Sequence, residues 1–239
     1  MGAMIKAELL KQKHTFQKKL ICIAPLVTML ISFLLMGMSK EYIQVGAFNW
    51  WYTIILPGAL TLITSFIVAN DKKRKFHGLF SIVIDLKEIW YSKIIVSSIY
   101  LALTCLIFFL GSTILGMFFG NQIPVLNSLI ASVLLFILFL WQIPLWMFIS
   151  MKITTGFSLI LSIICNCGIG AICAIKSTWW IPFAIPSRVM CKAIGIMPNG
   201  LLVEPGSSCT NENIIPLAIF ISIVLDLVLS YFSAKWFEK

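Results

Sequence analysis

The chain has 239 residues, is 60% hydrophobic and 11% charged, and carries a formal net charge of +9 at pH 7 with a mean hydropathy of +1.00. Soluble domains are about half apolar and about one quarter charged, so this composition excludes an ordinary soluble domain and indicates a membrane protein. The positive charge does not indicate nucleic-acid binding, because the basic residues are spread along the chain without an RNA- or DNA-binding motif.

The N-terminal stretch predicts a helix that lies at the membrane surface. Apolar residues recur on one side of a helix over residues 4–19, and lysines fill the other side. The apolar run that follows, 20–38, is too long for the hydrophobic region of a signal peptide, and no A-x-A cleavage site follows it. We therefore expect a retained first span preceded by an amphipathic, interfacial helix.

Six long apolar runs predict membrane-spanning helices. They cover residues 20–38, 51–69, 94–119, 128–150, 155–175 and 214–234. Each has about the 20 residues that cross roughly 30 Å of hydrocarbon. Runs this continuous are helices, since the strands of a membrane barrel alternate between apolar and polar residues. We predict an all-α integral membrane protein with six transmembrane helices in one domain over residues 1–239.

The distribution of lysine and arginine predicts the orientation. If the N-terminus lies inside, fourteen of the 18 basic residues fall on the inner side and four fall in the outer loops. Basic loops remain in the cytoplasm, so we expect a multi-pass membrane protein in this orientation. With six spans, both termini lie in the cytoplasm.

The inner connection over residues 70–93 is long enough to contact another protein. Four residues fall at helical spacing on one side, beside Asp85: Phe80, Val83, Ile84 and Lys87. Such a segment either anchors at anionic lipid headgroups or docks into the groove of a partner. We expect a coupling helix over Leu79–Trp90 that inserts these residues into a partner protein.

Small and polar residues recur at four-residue intervals in two predicted spans. They are Thr53, Thr61 and Ser65 in the second span, and Ser158, Ser162 and Asn166 in the fifth. Residues four apart share a helix face, and small or hydroxyl-bearing side chains permit close helix contacts. The stripes predict either ordinary helix packing or a translocation path and subunit interface.

Asp226 lies inside the predicted last span. A carboxylate there costs about 2.5–3.5 kcal/mol on insertion scales, so it needs a partner or a wet cavity. One interpretation is a local bond to Ser222 or Ser230, four residues to either side. The other is a functional role within the membrane.

The outer loop over residues 176–213 contains an apolar segment, Ser177–Leu202, that is interrupted by prolines. Each proline removes a backbone donor, and the paired tryptophans are typical of an aromatic belt at a membrane interface. A seventh crossing would also place the basic C-terminus outside. We predict a re-entrant hairpin in the outer leaflet, with Arg188 at its turn or reaching the surface. The residues that define it are Trp179, Trp180, Pro182, Pro186 and Arg188.

No catalytic or metal-ligating pattern occurs in the sequence. The seven cysteines lack zinc-site spacing, and spacing alone leaves open whether Cys191 and Cys209 of the outer loop form a disulfide. There is no G-x-x-x-x-G-K-[ST] phosphate loop, no H-E-x-x-H and no G-x-S-x-G. We expect no enzymatic activity, no metal and no cofactor on this chain, so that any nucleotide is bound by another subunit.

Three stretches of the outer segment carry a resemblance to a known family. They are Trp179-Trp180-Ile181-Pro182, Pro186-x-Arg188-x-Met190 and Ile196-Met197-Pro198-Asn199-Gly200. Together with the six spans and the amphipathic segment between the second and third, they make the chain resemble the permease subunit of type-2 ABC exporters. The finer resemblance is to the lantibiotic-protection (immunity) permeases of the MutE/EpiE group, and it extends over the whole chain.

This resemblance implies a division of labour among subunits. The permease would pair with a second, related permease and with two copies of an ATPase that binds ATP and Mg²⁺ and contacts residues 70–93. The complex would lie in the plasma membrane of a bacterium and would expel a cationic lantibiotic peptide from that membrane. Two alternatives stay open: a permease for another amphipathic cargo, such as a lipid or a different peptide, and a non-transporting membrane anchor or regulatory subunit.

Overall fold

The computed structural model describes residues 1–13, 15–36, 42–73, 85–204 and 214–238, and these form helices α1 to α9 without a strand. Seven helices are regular: α1 (Gly2–Lys11), α2 (Phe16–Met36), α4 (Leu86–Phe119), α5 (Val125–Phe139), α6 (Gln142–Lys152), α8 (Ile185–Ile194) and α9 (Ile215–Phe237). Two helices contain a π-helical piece. α3 comprises Ile43–Trp50, the π segment Trp51–Ile55 and Leu56–Lys73, and α7 comprises Thr155–Ile163, the π segment Ile164–Gly170 and Ala171–Ala174.

The helices confirm an all-helical membrane protein. Five of them in the described ranges (α2, α3, α4, α7 and α9) are long and apolar enough to cross a membrane. The pair α5 and α6, bent by 44°, makes a sixth candidate span when counted as one. Large apolar side chains cover the outside of this bundle, with Met117, Phe118 and Phe232 each more than 60% exposed. Such a surface is stable in lipid rather than in water.

The N-terminal helix differs from the prediction. Residues 4–19 do not form one interfacial helix, because α1 ends at Lys11 and α2 begins at Phe16. The turn between them is held by Gln12, whose buried amide donates to the Glu8 carboxylate at 2.9 Å and accepts from the Gln17 amide. Buried amides that bond to each other stabilise this turn, so α1 folds back onto the bundle, where it packs against α4.

The fourth predicted span, 128–150, is bent rather than straight. Pro144 has no backbone N–H to donate to the carbonyl oxygen of Leu140, and the helix breaks between α5 and α6 at this point. The core of the bundle consists of aromatic and aliphatic side chains. Within it, Trp51 of α3 stacks on Phe108 of α4, with ring centroids 4.4 Å apart and an angle of 2° between the rings.

Candidate functional site

The two predicted polar stripes lie against each other inside the chain. α3 packs against α7, and the Ser162 hydroxyl donates to the Pro57 carbonyl oxygen at 3.4 Å. The stripe side chains are all buried, with at most 4% exposure: Thr53, Thr61, Ser65, Ser158, Ser162 and Asn166. These contacts are helix packing within one chain. A role in a translocation path or subunit interface stays a prediction, and it would require α3 and α7 to separate.

A buried amide network joins the fifth-span stripe to α6. The Gln142 amide donates to the Asn166 carbonyl oxygen at 2.8 Å, and the Asn166 amide donates back to Gln142 at 3.2 Å. The Trp146 indole also donates to the Gln142 oxygen at 3.0 Å. Two amides that satisfy each other in an apolar interior fix the register of the two helices. Gln142 was not predicted from the sequence, although it is an amide within an apolar run, two residues before a proline.

Irregular backbone surrounds this network. The π segments of α3 and α7 contact each other, and α6 begins at Gln142 directly after the bend. π segments occur frequently at functional sites. Because three candidate spans are irregular at one level, this layer is where the spans could shift relative to one another with the least disruption of helical hydrogen bonds.

A second polar site lies at the end of the bundle that holds α1, which we call the α1 end. Lys93 of α4 is 1% exposed, and its ammonium lies 3.1 Å from the Glu8 carboxylate and 2.5 Å from the Asp71 carboxylate. Lys11 pairs with the same two carboxylates. This buried ion cluster, consisting of Glu8, Lys11, Asp71 and Lys93, connects α1 to α3 and α4.

The charges within the ion cluster offset each other. Burial raises the pKa of the Asp71 carboxyl, but Lys93 and Lys11 together lower it by more, so this pKa lies below its ordinary value. Asp71 is therefore ionised at neutral pH. Two lysines and two carboxylates leave the cluster without net charge, which is the condition under which buried ions are tolerated.

The predicted coupling residues fall partly outside the described structure. Phe80, Val83 and Ile84 lie outside it, whereas Asp85 is the N-cap of α4 and accepts a hydrogen bond from the Lys87 backbone N–H at 2.9 Å. The Lys87 ammonium pairs with the Glu238 carboxylate at 2.9 Å. A coupling helix that continues through Asp85 to Trp90 is therefore wrong: Asp85 has extended backbone, and the residues after it open the third span.

The Trp90 side chain points into the bundle and is not accessible to a partner protein. Its indole stacks on Phe237 with centroids 4.8 Å apart and donates to the Ser233 hydroxyl at 2.9 Å. The side chain is fully buried between α4 and α9. In the described part of this connection, Asp85 and Lys87 are the predicted coupling residues that remain exposed or partly exposed.

The outer segment is packed into the opposite end of the bundle. It begins with turns and then forms the ten-residue helix α8, in which Pro186 occupies the first turn, where proline removes no helical hydrogen bond. α8 contacts α5, α9 and the π segments of α3 and α7. Gly195 ends the helix in a left-handed conformation with φ of 68°. The chain then forms a tight turn closed by a bridge between Ile196 and Leu202.

The turn after α8 is attached to α3. The Asn49 amide donates to the carbonyl oxygens of Met197 and Pro198 at 3.1 and 3.0 Å. The turns before α8 are held close to α7: a Cβ atom added to Gly170 of α7 would lie 2.6 Å from the Phe183 carbonyl oxygen. Asn49 was not singled out from the sequence, where a lone asparagine at the start of an apolar run has no distinguishing signal.

The predicted residues of the outer segment have different surroundings. Trp180 is 60% exposed, whereas Trp179 is partly buried against the core. Pro182 lies in the turns before α8. Arg188 differs from the prediction of a turn or surface position: it is buried in α8 and its guanidinium donates to the Ala174 carbonyl oxygen at 3.3 Å. An arginine can be buried here because the Ala174 carbonyl oxygen, at the end of α7, accepts its charge-assisted bond.

Asp226 is half-buried in the middle of α9, with the Ser230 hydroxyl as a hydrogen-bonding neighbour of its carboxyl group. This is one of the two local bonds considered from the sequence. Its second oxygen has no hydrogen-bond partner among the described residues, so a functional role stays a prediction.

The described residues contain no group of three or more His, Cys, Asp or Glu side chains that could hold a metal ion. Of the two cysteines considered for a disulfide, Cys191 is buried in α8 and Cys209 lies outside the described residues.

Comparison with known proteins gives no relative. No family model matches the chain, no curated protein matches it, and no solved structure matches it.

Proposed function

We propose that this chain is the permease subunit of an ABC exporter that expels a lantibiotic-type antimicrobial peptide from the membrane. ATP and Mg²⁺ are bound by a separate ATPase subunit, present in two copies, and a second, related permease completes the membrane part. In this proposal the α1 end and both termini lie in the cytoplasm of a bacterial cell, and α8 enters the outer leaflet from outside without crossing.

The observation that carries the proposal is the packing of α8 and its turn. A ten-residue helix covers about 15 Å, half of the hydrocarbon thickness, so α8 cannot span the membrane. It is nevertheless buried between the second, fourth, fifth and sixth candidate spans rather than lying on their surface. Irregular backbone at membrane depth is tolerated where protein covers it, which supports a re-entrant element of the kind that the resemblance implies.

The α1 end supports a partner in the cytoplasm. The buried ion cluster binds α1 to α3 and α4, the two helices whose ends flank the inner connection. A force applied to that connection by an ATPase would therefore reach α1, α3 and α4 together. From there, the contact of α3 with α7 leads to the amide network and to the π segments against which α8 packs.

The cargo is proposed from the resemblance and from the outer surface. Trp180 is exposed beside the turn that leads into α8, and it offers apolar contact to an amphipathic peptide. Lys176 and Lys192 make this surface basic, so recognition of a cationic peptide rests on apolar contacts rather than on charge attraction.

The experiment is affinity purification of the tagged chain from its native membranes in mild detergent, followed by identification of co-purifying proteins and by a survival assay with lantibiotics. An ATPase with a phosphate-binding loop and a second permease should co-purify. Deletion of the chain should sensitise cells to a lantibiotic, and restoration should require the ATPase with an intact phosphate loop.

The two alternatives give different outcomes. If the ATPase co-purifies but survival in lantibiotics is unchanged, the chain is a permease for another amphipathic cargo. If no ATPase co-purifies from membranes in which the tagged chain is inserted and stable, the exporter proposal is wrong and a membrane anchor or regulator takes its place.

A further inference from the structure

A cavity of about 330 Å³ lies at the α1 end between the first turns of α4 and the last turns of α9. It is lined by Lys87, Tyr91, Tyr231, Ala234, Lys235 and Glu238. Ligand sites begin at about 300 Å³, so the cavity is large enough for a small polar group. It combines two ammonium groups and two phenol rings at the boundary of two candidate spans.

The charges in this cavity favour an anion. Among the residues that line the cavity, Lys87 and Lys235 carry two positive charges and Glu238 one negative charge, with the Glu238 carboxylate 2.9 Å from the Lys87 ammonium. Asp85, which does not line the cavity, also attracts Lys87. The Lys235 ammonium lies 6.0 Å from the centre of the Tyr231 ring, at the edge of the same cavity. Phenol hydroxyls donate to phosphate oxygens, and basic pockets between membrane helices bind the headgroups of anionic lipids.

A second, apolar cavity of about 180 Å³ lies further along α4. From α4 it is lined by Ala102, Cys105, Leu106 and Phe109, with further residues from α5. At about 100° per residue, Lys87, Tyr91 and these four residues fall within roughly 100° of one another around the helix axis. The polar cavity and the apolar cavity therefore open on the same face of α4.

The distance between the two cavities matches the depth of a lipid. At a rise of 1.5 Å per residue, Ala102 to Phe109 lie about 22–33 Å along the axis from Lys87. The distance from the headgroup region to the middle of a bilayer is about 20 Å, half of its total thickness. A phosphate beside Lys87 and Lys235 would thus place the end of an acyl chain at the Ala102 end of the apolar cavity.

We propose that this face of α4 binds an anionic phospholipid, with its phosphate between Lys87 and Lys235 and an acyl chain along α4 towards the apolar cavity. Glu238 neutralises Lys87 when the site is empty and competes with the phosphate when it is filled. The site depends on the chain lying in a membrane and not on its being an exporter, so failure of the exporter proposal leaves this one intact.

The test is native mass spectrometry of the detergent-purified full chain with phosphatidylglycerol or phosphatidylcholine of identical acyl chains. The wild-type chain should bind phosphatidylglycerol more tightly than phosphatidylcholine. The double substitution Lys87→Gln and Lys235→Gln should weaken phosphatidylglycerol binding roughly 10- to 30-fold without changing phosphatidylcholine binding. Glu238→Gln should instead strengthen phosphatidylglycerol binding, and Lys6→Gln, on the exposed side of α1, is a control for the loss of one positive charge elsewhere on the chain.

Three results would overturn the proposal. The first is an unchanged preference for phosphatidylglycerol in the double variant, and the second is an equal loss in the Lys6→Gln control. The third is displacement of phosphatidylglycerol by inorganic phosphate at millimolar concentration, which would show a site for a free anion rather than for a lipid.

Discussion

Replacing Lys93 by methionine should destabilise the protein more than replacing Lys11, the other lysine of the ion cluster. The Lys93 side chain is 2% exposed, and it is shared by two carboxylates whose side chains are 8% and 5% exposed. Methionine fills a similar volume but leaves the cluster with two carboxylates and one ammonium. Breaking a buried ion pair by removing one partner costs about 3–5 kcal/mol.

This free energy corresponds to a large change in the melting temperature. For a chain of this size, roughly 2–4 °C of melting temperature per kcal/mol predicts a loss of roughly 6–20 °C, measured by thermal unfolding in detergent micelles. Lys11→Met should lower the free energy of unfolding by less, because the Lys11 side chain is 30% exposed and water can solvate the carboxylates in its place. Lys6→Met, on the exposed side of α1, should leave the melting temperature unchanged.

The cause of the loss can be separated from a packing defect by pH and by a second substitution. In the wild-type protein the lowered pKa of Asp71 stabilises the fold at neutral pH, and this contribution disappears only as the pH falls below the ordinary pKa of a carboxyl group. Without Lys93 the pKa of Asp71 should rise instead, so the destabilisation should shrink from pH 7.5 to pH 5. Adding Glu8→Gln to Lys93→Met should recover part of the stability, because the cluster regains charge balance.

A melting temperature of Lys93→Met within 2 °C of the wild type would refute the reasoning. A loss that is the same at both pH values would show that packing, and not charge, is responsible.

Three further predictions concern the interior and the outer segment. Gly170→Ala should lower the melting temperature and displace the outer segment, whose backbone leaves no room for a Cβ atom, whereas Gly168→Ala in the same π segment, where nothing lies within 4 Å, should be neutral or slightly stabilising. Gln142→Leu should cost about 1–3 kcal/mol in thermal unfolding, because the partner amide stays buried without its bond; an unchanged stability would mean that the amides are hydrated. In a chain cleared of native cysteines, single cysteines at the exposed positions Ser177 and Asn199 should both react with an impermeant thiol reagent in intact cells. Labelling of one of them only after permeabilisation would show a true crossing, and the proposed re-entrant topology and exporter family would both be withdrawn.

The sequence alone determined the class of this protein and the place of its spans. Burial of backbone polar groups in lipid permits few structures, so a continuous apolar run of about 20 residues predicts a helix without knowledge of its neighbours. The six runs accordingly correspond to α2, α3, α4, the α5–α6 pair, α7 and α9. The recurring polar positions of the second and fifth spans also indicated correctly that one face of each is not exposed to lipid.

Only the tertiary structure decided what those faces contact. Periodicity places Ser162 and Thr61 on a helix face, but it does not say whether a neighbour in the same chain or a second subunit covers that face. The ion cluster could not be predicted from the sequence for the same reason. Its members Glu8, Asp71 and Lys93 are far apart in the chain, and they come together only because α1 folds back onto α3 and α4. The prediction for Arg188 was wrong because a charge inside an apolar segment is expected at the surface. Here the Ala174 carbonyl oxygen of another helix accepts a hydrogen bond from the buried guanidinium.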